Sequence, residues 1–324
     1  MANRALLDSI DYANGTIRLD GKEYKLLDSN FPTIDPDNPY ELSSEETLVV
    51  ERLTSAFTNC EKLQRHMNLL LKKGSLYKVY NNNLLYHGCI PLNEDGSFKA
   101  VDIYGKKYKG KALYEVLEAY VRKAFVAIDE NEREKGKDIL WFIWSSPGSP
   151  LFGKQKMATF ERYFLAEKET HEEKKNPYYR LLEDETVINR IMREFGLEEG
   201  CAHIVNGHVP VHHAAGESPI KCNGKVLVID GGFSKAYQKE TGIAGYTLIY
   251  NSWGMILAAH EPFTSAEDAI TRETDILSDS ILVKRSMIRK TVEDTDNGRK
   301  LKENIEELKA LLAAYRSGTI IEKE

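Results

Sequence analysis

The chain has 324 residues, 42% of them hydrophobic and 29% charged, which is the composition of a globular protein and excludes a largely disordered chain. Its 44 Lys and Arg residues stand against 50 Asp and Glu residues, so the net charge is −6 at pH 7. Because a protein that binds a phosphate backbone needs a strongly basic surface, this balance argues against nucleic acid as its partner.

Cysteine spacing and hydropathy indicate a cytoplasmic protein. The four cysteines show no CxxC spacing, and a disulfide framework is unusual in a chain of this length, so a reducing compartment is the simpler interpretation. No apolar run reaches the ~18 residues of a membrane helix, and the N-terminus lacks the pattern of a signal peptide. We therefore expect no membrane partner.

The first part of the chain predicts a hairpin followed by one long helix. Residues 16–27 alternate polar and apolar side chains around an Asp-Gly pair, which is typical of a β-hairpin. Ser43 and Glu46 have the spacing of a capping box, and the apolar residues after them recur at helical intervals as far as Gly74.

Turn and capping residues divide the middle of the chain. Asn81 and Asn82 predict a turn between two strands, residues 75–80 and 83–86. Apolar periodicity predicts further helices at residues 111–126, at 159–165 with Thr159 as a cap, and at 184–195 with Asp184 as a cap.

The last part of the chain predicts strands and a terminal helix. The predicted strands are residues 202–205, 225–229, 246–250 and 255–259. The terminal helix is expected to pack its apolar face against the body of the protein, and that face comprises Leu301, Ile305, Leu308, Leu311 and Leu312.

Three of the predicted strands end in segments that suit a ligand site. His87 directly follows one strand, Asn206-Gly207-His208 follows another, and an Asp-Gly-Gly segment at 230–232 follows the third. In open α/β sheets, ligands bind outside the carboxyl ends of the strands. These three ends are therefore the first place to look for chemistry.

His87 and His208 are candidate metal ligands. A neighbouring glycine, which lets the backbone turn sharply, is expected to aim each imidazole into a site, and imidazole suits Mn, Fe and Zn. By this pattern alone, each is more often an ordinary hydrogen-bonded histidine at a strand end than a metal ligand. A structural zinc set of Cys201, His203, His208 and His212 is disfavoured, because its spacing matches no zinc pattern.

The Asp-Gly-Gly segment is a candidate phosphate seat. Asp230 could offer a carboxylate, Gly231 and Gly232 could offer backbone N–H groups, and Lys235 follows closely. A tight turn without a ligand is the alternative. The sequence contains neither a Walker motif nor GxGxxG, so a nucleotide-binding fold receives little support.

Several longer blocks resemble a known family. The blocks are HGCIP at 87–91, RHMN at 65–68, FGK at 152–154, TFERYF at 159–164, KETHEEKKNPYY at 168–179, NGHVPV at 206–211, IDGGFSKAYQ at 229–238 and TGIAGYT at 241–247. Together they resemble the class III fructose-1,6-bisphosphatases of Firmicutes-type bacteria, which belong to the calcineurin-like metallophosphatases.

The resemblance implies a manganese-dependent hydrolase. In that superfamily an HG motif and a later GH motif supply two ligands to the same metal, which here correspond to His87 and His208. Many relatives carry another His two places after the GH motif, whereas Pro210 stands there in this chain, as in the class III pattern.

Other motifs of the superfamily are not in this sequence. D-x-H, GD-x-x-D-R and GN-H-D/E supply the bridging Asp, most of the first metal site and the His that assists the leaving group. The chain resembles only the C-terminal half of the family's longer chains. We therefore expect a fragment, inactive by itself, whose dinuclear Mn²⁺ centre forms only with the missing N-terminal half, and no catalytic residue is assigned.

The implied fold is α/β (α+β): the C-terminal half of a calcineurin-like metallophosphatase sandwich, in which two packed mixed sheets are flanked by helices, with helical excursions. Residues 1–324 are then the C-terminal part of a single domain. Its expected sections are a β-hairpin and loop at 1–42, the phosphatase half at 43–261 with insertions at about 92–185, and a mainly helical tail at 262–324.

The implied reaction is hydrolysis of fructose 1,6-bisphosphate to fructose 6-phosphate and phosphate, a step of gluconeogenesis. The residues expected to contact this sugar bisphosphate are Asp230, Gly231, Gly232, Lys235, Arg65 and Arg162. Two alternatives stay open, a metallophosphatase for another phosphoester and a non-catalytic interaction module. Because a lone half exposes apolar surface, we also expect a separate N-terminal half or homo-oligomer formation.

Overall fold

The structure, a computed structural model, describes residues 5–198, 200–232, 234–262, 265–273 and 278–321. The chain forms two compact units, the first from residues 1–77 and 87–181 and the second from residues 78–86 and 182–324. None of the helices within the described ranges is long and apolar enough to cross a membrane.

Strands and helices follow one another along the chain in small groups. The strands are β1 (Ile10–Asp11), β2 (Thr16–Leu19), β3 (Lys22–Lys25), β4 (Tyr77–Tyr80), β5 (Asn83–Tyr86), β6 (Val101–Ile103), β7 (Lys106–Tyr108), β8 (His203–Asn206), β9 (Ile220–Lys221), β10 (Val226–Val228), β11 (Gly245–Asn251), β12 (Gly254–His260) and β13 (Ser278–Arg285). The helices are α1 (Ser44–Thr58), α2 (Glu61–Lys73), α3 (Gly110–Val126), α4 (Glu130–Ser145), α5 (Thr159–Phe164), α6 (Glu185–Glu194), α7 (Lys235–Thr241), α8 (Ala266–Arg272) and α9 (Asp296–Arg316).

The first unit contains two apolar clusters. β1, β2 and β3 form an antiparallel sheet, and its buried Ile17 packs in one cluster with Leu165, which follows α5. In the other cluster α3 and α4 pack on the β6–β7 hairpin through Leu117 and Ile139. The hairpin predicted at residues 16–27 is confirmed by the pairing of β2 with β3.

The start of α1 was predicted correctly, and the single long helix was not. Ser43 and Glu46 form the expected capping box, in which each side chain accepts a backbone N–H of the other residue. The helix nevertheless ends at Thr58, and α2 begins at Glu61. Thr58 and Asn59 have low helix propensity, and Cys60 has an extended backbone. These residues separate the two helices.

The two predicted N-caps have different outcomes. Asp184 is confirmed, because its Oδ1 accepts the N–H groups of Thr186 and Val187 at the start of α6. Thr159 is wrong, because Ala158 occupies the N-cap position of α5 and makes no side-chain cap. Thr159 is itself the first residue of the helix, and the Ala158 N–H donates to Glu173 at 3.0 Å.

The second unit contains a five-stranded mixed sheet in the order β4-β5-β8-β10-β9. β5, β8 and β10 are parallel, and β9 pairs with β10 in the antiparallel direction. The predicted turn between β4 and β5 is confirmed. Asn81 and Asn82 both have left-handed φ values, 49° and 58°, which a tight two-residue turn requires.

A second sheet packs on the first within this unit. β11, β12 and β13 form an antiparallel sheet, and Met255 of β12 lies in one cluster with Val205 of β8 and Leu227 of β10. The expected α+β class is confirmed. This three-stranded sheet is antiparallel rather than mixed, because each strand pairs with its predecessor running in the opposite direction.

The apolar face of α9 does not pack as predicted. Leu301 and Leu308 are 53% and 63% exposed, and Ile305, Leu311 and Leu312 are exposed as well. In α1, Leu53 and Phe57 are similarly exposed. The prediction of a packed stripe is therefore wrong, since helical spacing specifies the helix but not the surface that covers it.

Candidate metal site at the edge of the five-stranded sheet

Three parallel strands end at one edge of the five-stranded sheet. Ile204 of β8 pairs with Leu84 of β5 on one side and with Val226 of β10 on the other. Past the end of β10 the ladder continues, where the Ile229 N–H donates to the Asn206 carbonyl at 2.9 Å. Asn206 is buried there, whereas the sequence pattern predicts only a break after the strand at this residue. The feature of the sequence that could have indicated this buried residue is a polar amide directly after an apolar run.

His87 is the first residue after β5, and it is exposed. The next residue, Gly88, lies so close to the chain that an added Cβ would overlap the Pro150 carbonyl oxygen, which accepts the Cys89 N–H at 2.9 Å. Gly88 has no left-handed φ, so the glycine is needed for this close approach rather than for the predicted sharp turn. Burial raises the pKa of the Cys89 thiol to about 12, which excludes a thiolate there at pH 7.

His208 lies two residues beyond β8 and is half-buried. Its φ is 69°, in the left-handed region, where an L side chain costs about 1 kcal/mol. The sharp turn predicted at Gly207 is wrong, because the positive φ falls on His208 itself. Backbone strain of this kind is concentrated at functional sites, so it adds weight to His208 as a candidate ligand.

The segment around Asp230 is hydrogen-bonded to the segment that carries His208. The Val211 N–H donates to the Asp230 carbonyl oxygen at 2.8 Å. The Gly232 N–H donates to Asp230 Oδ1 at 3.0 Å, which closes an Asx-type turn. This N–H is thus directed at Asp230, and the contact of the segment with phosphate stays a prediction.

Both glycines of this segment are needed for space. A Cβ on Gly231 would lie 2.6 Å from Ile243 Cδ1, and one on Gly232 would lie 2.6 Å from Tyr237 Cβ. Gly232 also has a left-handed φ of 70°. Lys235 is the first residue of α7, and the prediction for its side chain lies outside the described part of the structure.

The two candidate arginines belong to the first unit. Arg65 lies on α2 and is exposed. Arg162 on α5 forms an ion pair with Glu173 at 3.3 Å. Burial acts to raise the pKa of Glu173, but the hydrogen bonds from Lys154 and the Ala158 N–H and the charge of Arg162 outweigh it and lower the pKa. Arg162 therefore has a structural partner, and its contact with substrate stays a prediction.

The disfavoured zinc set is not assembled in the described residues, where no three His, Cys, Asp or Glu side chains are grouped as metal ligands. Cys201 is exposed, and its Sγ accepts from Asn82 Nδ2 at 3.0 Å. His203 is buried in β8, and its Nδ1 hydrogen-bonds to the Gly224 carbonyl oxygen at 2.9 Å. His203 is thus an interior histidine.

The burial of His203 predicts a loss of stability in mild acid. Burial lowers the pKa of His203, and the charges of Lys284 and Lys290 lower it further. Since the unfolded chain then binds a proton more readily than the folded chain, the free energy of unfolding is fully retained above pH ~6.5 and falls as the pH drops towards the lowered pKa. Urea unfolding at neutral pH and in mild acid measures this slope. In His203→Gln the slope should be smaller, and an unchanged slope would contradict the assignment.

Comparison with known proteins shows which family the chain is similar to. A family model described as "Firmicute fructose-1,6-bisphosphatase" matches residues 1–317. Three relatives carry the name "Fructose-1,6-bisphosphatase class 3". They come from Listeria monocytogenes serotype 4b, at 54% identity over 323 residues, from Clostridium acetobutylicum, at 56%, and from Clostridioides difficile, also at 56%.

The chain spans about half the length of the curated relatives it matches. Each alignment covers 99% of this chain, but only 50% of the Listeria protein and 49% of the two clostridial proteins. The aligned part includes the whole edge formed by β5, β8 and β10. No solved structure matches the chain.

Proposed function

Because the chain belongs to the family of Firmicute fructose-1,6-bisphosphatases, we propose that it forms part of a site that hydrolyses fructose 1,6-bisphosphate to fructose 6-phosphate and phosphate. The observation that carries the proposal is the common edge at which β5, β8 and β10 end. Both histidines of the family's metal motifs follow strands that end there. The reaction class is phosphoric monoester hydrolysis, and the substrate class is a sugar bisphosphate.

His87 and His208 are proposed as ligands of Mn²⁺. Neutral imidazole is a suitable donor for a first-row metal ion, and the strained backbone at His208 supports a functional role for its ring. Two imidazoles are suitable ligands for one such ion. They are neutral, however, and do not supply the negative charge that two divalent ions need. A bound metal ion would supply an activated water molecule and positive charge beside the phosphoryl group.

The chain's own residues would bind and orient the sugar bisphosphate beside this edge. Asp230 and the Gly231-Gly232 backbone are proposed next to the metal, since their segment is hydrogen-bonded to the one that carries His208. Lys235, Arg65 and Arg162 are proposed as cationic contacts. Phosphate at Arg162 would compete with Glu173, which now pairs with that guanidinium.

The cellular location, the domain and the partners of the chain are proposed from the same family. We place the protein in the cytoplasm, with residues 1–324 as the C-terminal part of a single phosphatase domain. The exposed apolar faces of α1 and α9 support association with a separate N-terminal half or with a second copy of the chain.

Calorimetric titration with Mn²⁺ tests the ligand assignment. His87→Ala and His208→Ala should each weaken Mn²⁺ binding by at least about tenfold. Loss of a side chain that only hydrogen-bonds to a metal ligand already weakens metal binding by about that factor. His66→Ala is the matched control, because His66 is exposed on α2 and should not affect the isotherm. Equal affinity in all four proteins would reject both histidines as ligands.

A further inference from the structure

The segment that follows His87 is held in place at Cys89. This residue is fully buried, and its N–H donates to the Pro150 carbonyl oxygen at 2.9 Å. Its own carbonyl oxygen accepts the hydroxyl of Tyr114 at 3.0 Å. Both backbone polar groups of Cys89 are therefore paired, as buried groups require. Gly88 is the one residue between this anchored position and His87.

Tyr114 holds its hydroxyl on a packed helix. It lies on α3, where Leu113 and Leu117 are buried in one apolar cluster with Ile139 of α4. Its side chain is fully buried, and its ring packs edge-on against that of Tyr77, with the ring centroids 5.8 Å apart. Burial raises the pKa of the Tyr114 hydroxyl well above its usual range, so the group is protonated and donates at neutral pH.

Loss of this hydroxyl would be transmitted to His87. A buried carbonyl oxygen that loses its donor costs about 1–3 kcal/mol, and a shift of the Cys89 peptide towards another donor would relieve that cost. Gly88 leaves little room to absorb such a shift, because an added Cβ there would overlap the Pro150 carbonyl oxygen. Since a metal site needs its ligands placed to within about 0.5 Å, a small displacement of His87 should weaken metal binding.

We propose that Tyr114 is a positioning residue for the candidate metal site. Its hydroxyl holds the Cys89 carbonyl oxygen and thereby fixes the backbone from which His87 projects, without contact between Tyr114 and the metal ion. The proposal rests on the proposed function, because it takes His87 to be a metal ligand. The sequence predicts only a helix around Tyr114, since the residue that it holds lies 25 positions away.

Calorimetric titration of Tyr114→Phe with Mn²⁺ tests this role. Phenylalanine keeps the ring and removes only the hydroxyl, so Mn²⁺ binding should weaken by about threefold to tenfold, up to the factor that loss of a direct partner of a metal ligand costs. Tyr12→Phe is the matched control, because the Tyr12 hydroxyl also donates to a backbone carbonyl oxygen, that of Leu7, at 3.0 Å. Unchanged affinity in Tyr114→Phe, or an equal loss in Tyr12→Phe, would overturn the proposal.

Double substitutions separate a positioning role from a general effect on the fold. In the His87→Ala background, Tyr114→Phe should cause no further loss of Mn²⁺ affinity, whereas in the His208→Ala background it should cause its full effect. A further loss in the His87→Ala background would refute the proposal. If His87→Ala alone leaves the affinity unchanged, the ligand assignment of the proposed function fails as well. Weakened binding in His87→Ala with parental affinity in Tyr114→Phe refutes only the role of Tyr114.

Discussion

Gly88→Ala is expected to lower the free energy of unfolding by about 3 kcal/mol and to displace His87 from its place after β5. The added Cβ would overlap the carbonyl oxygen of Pro150 and lie 3.1 Å from that of Leu151. Both are backbone atoms, so neither is able to rotate away as a flexible side chain does. The Pro150 oxygen also accepts the Cys89 N–H, so a shift of this carbonyl breaks a hydrogen bond.

Gly21→Ala separates crowding from backbone strain. Gly21 has a left-handed φ of 79° but no heavy atom near its added Cβ, so this change should cost only about 1 kcal/mol. Urea unfolding of the two variants and the parent chain provides the comparison. A loss in Gly88→Ala no greater than in Gly21→Ala would show that the chain at residue 150 moves aside without penalty.

Release of phosphate from fructose 1,6-bisphosphate by the purified 324-residue chain is expected to stay at background, even at saturating Mn²⁺. Hydrolysis with two metal ions needs carboxylates that neutralise and bridge the ions. The D-x-H, GD-x-x-D-R and GN-H-D/E motifs that supply them in the metallophosphatases that the sequence resembles are not in this chain. Two imidazoles bring no negative charge, so the second ion would lack a binding site.

A coupled assay for fructose 6-phosphate measures this turnover, with and without Mn²⁺. His208→Ala serves as the control, because any rate that persists in it comes from a contaminating phosphatase. Mn²⁺-dependent turnover that disappears in His208→Ala would contradict the expectation. It would also show that carboxylates outside the matched motifs complete the centre.

Local chemistry accounts for the parts of the fold that the sequence predicted. The capping box at Ser43 and Glu46, the cap at Asp184 and the turn at Asn81-Asn82 all depend on residues within four positions of each other. Such signals are carried by the sequence itself, since each satisfies backbone groups close by. The strand ends of the candidate site were predictable for the same reason.

Contacts between distant residues account for the parts that were missed. The N–H of Ala158, the residue before α5, donates to the distant Glu173, and Gly88 is needed because Pro150 lies beside it.

Pulsed electron paramagnetic resonance of Mn²⁺ bound to the chain, with all histidines labelled with ¹⁵N, tests the central assignment most directly. The method detects nitrogen bonded to the ion without any need for turnover. We expect coupling to two imidazole nitrogens in the parent chain, to one in His87→Ala or His208→Ala, and to none when both are replaced. Coupling that survives the double replacement, or no histidine coupling in the parent chain, would contradict it.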